Sequence, residues 1–155
     1  MASMKSLDDW IVPLAIMGFI VFWCLICLLL AGVGGWMKLS RRFRAAAKPT
    51  GPLRWMQRLL LNGTKYEGVV GIGVFPTGLY LSVLLPFRVG HPPLLIPWSE
   101  FGPFKTQKVF WLTTFVTTIR VGKFDKISLA FTDRNLVAAI QTQLDAASSA
   151  PKTLP

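Results

Sequence analysis

Two hydrophobic rhythms divide this chain. Across residues 10–37, 28 positions pass without one charged side chain, and the centre, residues 11–33, is apolar on every helical face. From Leu53 the apolar positions recur at every second residue instead, and after Asp133 they return to helical spacing. The first run predicts a single transmembrane helix over residues 10–37. A bilayer core about 30 Å thick takes about 20 apolar residues as a helix, and only a helix satisfies its own backbone there. A buried helix of a soluble domain would carry a polar stripe, and none is present. The competing reading is a cleaved secretory signal. Its apolar region would span about 7 to 15 residues, and the Ala45-Ala46-Ala47 segment that resembles a cleavage site lies beyond four basic residues.

Trp36, Leu39 and Phe43 keep helical spacing, so the helix is expected to continue with its basic face on lipid headgroups until Pro49, Gly51 and Pro52 stop it. Strands are then expected over residues 55–62, 68–75, 79–85, 94–101 and 126–132. Residues 109–121 are long and threonine-rich enough for two strands or one bent one. In the second strand Val70, Ile72 and Val74 share a face. In the third, Leu79, Leu81, Val83 and Leu85 alternate against Tyr80 and Ser82. Pro76-Thr77-Gly78 between them makes the tight turn of a hairpin. Ile127, Leu129 and Phe131 point inward from the last strand. Asp133-Arg134-Asn135 can then cap a helix carrying Leu136, Val137, Ile140 and Leu144 through Ala147. The expected organisation is a tail (1–9), the membrane helix (10–37), a basic linker (38–52), a β domain (53–147) and a disordered tail (148–155).

Charge orients this arrangement. Lys5 precedes the apolar run, whereas Lys38, Arg41, Arg42, Arg44 and Lys48 follow it. Basic residues stay on the cytoplasmic side, which puts the amino terminus outside and the domain in the cytoplasm. The formal net charge is +10, and seven of the 17 Lys and Arg lie between Lys38 and Arg58. That cluster predicts attraction to anionic headgroups of about 1 kcal/mol per residue. A basic patch beside a membrane helix is already explained by topology, so nucleic acid is not expected as a partner. The Cys24–Cys27 pair has redox-like spacing but lies in hydrocarbon, where thiolates do not form, and is read as helix packing. Ala31 and Gly35 form a small-x-x-x-small pair that would let a second helix approach closely.

Six or seven short antiparallel strands closed by one amphipathic helix resemble the pleckstrin-homology-like fold, including the GRAM and bacterial PH-like families. The segments Gly78-Leu79-Tyr80-Leu81-Ser82-Val83 and Leu95-Ile96-Pro97-Trp98-Ser99-Glu100-Phe101 carry the likeness, which covers about residues 53–147. It implies a curled barrel plugged by its last helix, in a small membrane protein of the bacterial inner membrane. A lipocalin-like or OB-like barrel is the rival. Phosphoinositide-binding PH domains place a lysine and an Arg-x-Arg-like cluster around the first hairpin loop. Here that region offers only Arg58 and Lys65, so headgroup-specific binding is not implied. Arg120, Lys123 and Lys126 surround a later turn, either as a basic tip or as an ordinary solvated one.

Little in the sequence points to catalysis. His91 is the only histidine, set beside two prolines, which leaves no Cys/His metal cluster and reads as a loop residue. Ser99 and Glu100 are adjacent and would point to opposite faces of a strand. Glu100 is expected to cap a backbone group or pair with a lysine. Gly68, Gly71 and Gly73 lack the Lys-Ser/Thr and helix of a phosphate loop, and are better explained by close approach in a twisted strand. The expectation is a non-enzymatic, membrane-anchored interaction module that binds a protein partner or the lipid surface and holds no cofactor. The alternative is a structural accessory subunit of a larger membrane complex, docked through its helix.

Overall fold

The computed structural model describes residues 3–149. It holds a long apolar helix, an open sheet of seven antiparallel strands and a terminal helix. Helix α1 (Ser3–Val33) is long and apolar enough over Asp9–Val33 to cross a membrane. Every residue from Asp9 to Phe22 is exposed, so this half of the helix stands free of the rest of the chain.

The helix does not run on into the linker. Gly34 and Gly35 break it, with Gly35 in the left-handed region at φ 76°. A side chain at Gly34 would meet the Tyr66 hydroxyl at 2.7 Å, so the turn must be bare to sit against the domain. Helix α2 (Trp36–Phe43) then runs in a new direction. Its apolar residues Trp36, Leu39 and Phe43 are buried in the core of the β domain. This corrects the expectation that the membrane helix continues through this stretch: it breaks at Gly34–Gly35, and the apolar face of α2 is inside the protein. The helical spacing is present, and the surface it serves is the protein's own core. The separation into linker and domain shifts accordingly, because the core cluster already takes in Ala31 of α1 and Trp36, Leu39 and Phe43 of α2.

The strands are β1 (Arg54–Leu61), β2 (Thr64–Phe75), β3 (Gly78–Val83), β4 (Leu94–Ile96), β5 (Lys105–Val109), β6 (Leu112–Arg120) and β7 (Lys126–Phe131), in the spatial order β4-β3-β2-β1-β7-β6-β5. All pairings are antiparallel. Asn62 and Gly63 both take positive φ in the two-residue turn joining β1 to β2. Helix α3 (Arg134–Ser149) closes the chain, with the Asp133 carboxylate accepting from the Asn135 amide at 2.8 Å as a cap. It extends two residues past the expected end at Ala147, and the expected tail beyond it, residues 150–155, lies outside the described residues.

The sheet curls around one core without closing into a barrel, since β4 and β5 do not pair. Residues between them cross the gap, and Gly102 donates to the Thr118 carbonyl at 2.7 Å along the edge of β6. Helix α3 packs on β2 and β7 over the opening. Ile127, Leu129 and Phe131 face the core, as do Leu136, Val137 and Ile140 from α3. Pro97 ends β4 early, and residues 98–100 form a 3-10 turn in place of more strand. Residues 109–121 hold one full strand, β6, rather than two; Val109 only closes β5, and Phe110 takes φ 55° in the turn between the two strands.

Tyr80 and Ser82, on the face opposite Leu79, Leu81 and Val83, are buried as well, at 3% and 4% exposure. The segment leading into β1 folds back over the outer face of β2 and β3. A side chain at Gly71 would meet the Trp55 ring at 2.7 Å, and one at Gly73 would meet Leu53 at 2.6 Å. Gly71 and Gly73 of β2 therefore admit neighbouring side chains, the close approach expected of them, whereas Gly68 has open space beside it and a φ of 68°.

Candidate functional site at the helix–domain junction

The last three turns of α1 are held by the domain. The loop after β3, which contains a 3-10 turn (Leu85–Phe87), lies along the helix. Trp23 donates its indole N–H to the Pro86 carbonyl at 2.7 Å, and its ring lies 5.3 Å from that of Phe87. Further along, Ala31 is fully buried, and a side chain at Gly90 would come within 3.2 Å of it. Gly35 sits against Ile127 of β7. The small residues Ala31 and Gly35 thus serve packing as expected, but onto this chain's own domain. They offer no free seam to a second helix.

Below that contact lies an aromatic cluster of Trp36, Tyr66 and His91. The Trp36 ring is 5.6 Å from Tyr66 and 5.2 Å from His91, and its indole N–H donates to the Pro92 carbonyl at 2.9 Å. His91 was expected as a loop residue. It is on a loop, yet only 2% exposed. In the neutral ring Nδ1–H donates to the Val89 carbonyl at 3.1 Å, which leaves Nε2 to accept from the Tyr66 hydroxyl at 3.2 Å. The same hydroxyl lies 3.4 Å from the Leu30 carbonyl of α1. Burial pushes the Tyr66 hydroxyl up to about 12. It also lowers His91, against an opposing pull from the Val89 and Phe87 carbonyls. Both ring nitrogens are engaged in structural bonds, so the cluster ties helix to domain and offers no free base.

A pH dependence follows. The unfolded chain takes up the His91 proton first as pH falls. The stability from neutral His91 is complete above the ordinary value of 6.5 and is lost as pH drops from there toward the folded value. Denaturant midpoints of the detergent-solubilised chain should therefore fall between about pH 7.5 and about pH 5. His91→Gln should flatten that decline, and an equal decline in both proteins would show that His91 does not contribute.

The five basic residues of the linker do not share one surface. Lys38 and Arg41 are exposed on α2. Arg42 turns to the domain, where it pairs with Glu100 at 3.0 Å and donates to the Val121 carbonyl at 2.9 Å. Glu100 is paired, as expected, with an arginine rather than a lysine. Its other oxygen is buried beside a cavity of about 140 Å³ lined by Thr118, Arg120 and Lys126. Arg44 pairs through its backbone with Leu94, and Lys48 lies beyond it in the groove with Trp55, Tyr80 and Arg88.

A different basic set does converge. The Arg42–Val121 bond draws the turn after β6 toward α2, and the Gly35–Ile127 contact sets the start of β7 against the end of α1. These two contacts bring Lys38 and Arg41 of α2 and Lys123 and Lys126 of the turn to the side of the domain where the apolar helix ends, with Asp125 and the Arg42-paired Glu100 as acids among them. Phe124 is 88% exposed beside them, with the Lys123 ammonium 5.9 Å from its ring. Arg120 and Lys126, which the sequence left as either a basic tip or an ordinary solvated turn together with Lys123, are cross-strand partners. Among the described residues no group of three or more His, Cys, Asp or Glu could hold a metal ion.

Comparison with protein-family models, with curated proteins and with solved structures gives no match for this chain.

Proposed function

We propose that this protein is a membrane-anchored, non-enzymatic interaction module whose PH-like domain is seated on the cytoplasmic lipid surface. The observation that carries the reading is the packing of the domain onto the end of the apolar helix, which gathers Lys38, Arg41, Lys123, Lys126 and the exposed Phe124 at that end. An anionic headgroup layer suits such a surface. Only 11% of the most apolar stretch of α1 is buried, which fits a lipid-facing helix rather than the core of a soluble fold. A cleaved signal is disfavoured on packing grounds. Cutting after Ala47 would strip Trp36, Leu39 and Phe43 from the core. The strand order with a helix over the opening supports the PH-like assignment. The basic residues after the helix support a cytoplasmic domain.

One observation favours a protein partner as a second reading. Phe110 and Trp111, in the turn between β5 and β6, are 91% and 93% exposed, and nothing among the described residues covers them. Docking into a larger complex through α1 loses the Ala31–Gly35 seam, which the domain occupies.

Hydrogen exchange of the full chain in nanodiscs tests the lipid reading. With phosphatidylglycerol present, amides of α2 and of the turn after β6 should exchange more slowly than in phosphatidylcholine alone. Added salt should reverse the effect, because such attraction is screened over about 8 Å at physiological ionic strength. Identical exchange in both lipids would overturn the seat on the headgroups and favour the protein partner. Release of the chain from membranes by alkaline carbonate would overturn the anchor itself.

A further inference from the structure

We infer that the loop Leu84–Gly90 is a second membrane element, which enters the hydrocarbon layer alongside α1. The inference rests on the proposal that α1 spans a bilayer, and it concerns a segment that the anchor and the basic surface do not involve. The argument is one of depth. Asp9 marks the outer limit of the apolar run, so counting about 20 residues from Trp10 puts the inner edge of the hydrocarbon no earlier than Leu29. Trp23 lies six residues before Leu29, which at 1.5 Å per residue is about 9 Å inside that edge. Any tilt or thicker bilayer moves the edge toward Val33 and the indole deeper. Trp23 is the residue whose N–H is bonded to the Pro86 carbonyl, and the Cys27 sulfur is 3.9 Å from the same oxygen. A loop fixed to the helix at that level cannot stay in water while the helix spans.

The chemistry of the loop agrees with that position. Leu85 is 77% exposed and Val89 is 37% exposed, and both are apolar. In water this is a costly surface, and in lipid it is a matched one. Non-helical backbone at such depth must have its polar groups satisfied. Pro86 has no N–H, and its carbonyl is taken by Trp23. The Leu84, Phe87 and Arg88 amides donate to the carbonyls of Val69, Leu84 and Leu85 at 3.0, 2.9 and 3.2 Å. The single charge, Arg88, lines the groove shared with Lys48 and Trp55, so its long side chain leads back toward the polar side.

Spin labels on the full chain, in vesicles of phosphatidylcholine and phosphatidylglycerol, test this. The background carries Cys24→Ala and Cys27→Ala, and one nitroxide is placed at Leu85→Cys. Ile20→Cys on the free half of α1 reports lipid, and Thr77→Cys in the turn between β2 and β3 reports water. Leu85 should match Ile20, losing collisions with a water-soluble nickel chelate and gaining collisions with oxygen. Val89→Cys should do the same if the Leu85 variant does not fold. Chelate access at Leu85 or Val89 equal to that at Thr77, with Ile20 protected, would overturn the inserted loop and leave the anchor standing. Chelate access at Ile20 would overturn the spanning helix, and the inference with it.

Discussion

Replacing Trp36 with alanine should cost the folded protein about 3 to 5 kcal/mol, the range for removing a large aromatic from a closed core. Trp36 is fully buried, although only two residues separate it from the end of a helix whose first half is exposed. It packs against both Tyr66 and His91 and donates to the Pro92 carbonyl. The truncation removes ring contacts and leaves that carbonyl without its partner. Lys38→Ala, on the exposed side of the same helix, should change stability by less than about 0.5 kcal/mol. Chemical denaturation of the solubilised chain, followed by circular dichroism, measures both. If α2 were a headgroup-lying extension of the anchor, Trp36→Ala would leave unfolding of the domain untouched. That result would remove α2 from the core.

Phe131→Ala should be comparably damaging, at about 3 to 5 kcal/mol. Its ring has no exposed surface, lies 6.5 Å from Phe104, and belongs to the cluster that Leu136, Val137 and Ile140 of α3 complete. Its strand neighbours test the alternation directly. Ser128 and Thr132 are on the opposite face and half-buried, so Ser128→Ala and Thr132→Ala should each cost about 1 kcal/mol or less. Equal losses on both faces would mean that β7 is turned over or shifted by one residue.

The strength and the limit of sequence patterning both appear in these strands. Ile127, Leu129 and Phe131 were legible because one face of β7 meets the core and the other does not. Tyr80 and Ser82 were not, because periodicity marks which residues share a face and says nothing of what later covers it. Here the cover comes from Leu53 and Trp55, well before β3 in the chain. Strand β5 escaped for the opposite reason. Lys105, Thr106, Gln107 and Lys108 are all exposed on an edge strand, so no hydrophobic alternation records them. The turn at Phe110–Trp111 has none of the Gly or Asn that announces a hairpin.

At the junction the signal was present and its target was misassigned. Trp36, Leu39 and Phe43 show a helical stripe equally suited to lipid or to a core, and their basic neighbours favoured lipid. Only the three-dimensional contacts decide between them. His91 carried the weakest signal of all. A lone histidine before two prolines reads as a loop, which is correct, and nothing in its neighbourhood foretells the hydrogen bond to Tyr66, 25 residues away.

The bare turn at Gly34–Gly35 has a mechanical consequence. A flexible tether would let a domain swing and spin independently of its anchor. Here the chain turns sharply, and both arms of the turn are clamped by buried side chains, so the anchor and the domain move as a lever and its load. A spanning helix adjusts its tilt to the thickness of the surrounding bilayer. With α1 spanning a bilayer as proposed, such an adjustment would be delivered to the domain as a change of pitch, raising or lowering the Phe110–Trp111 turn relative to the lipid plane.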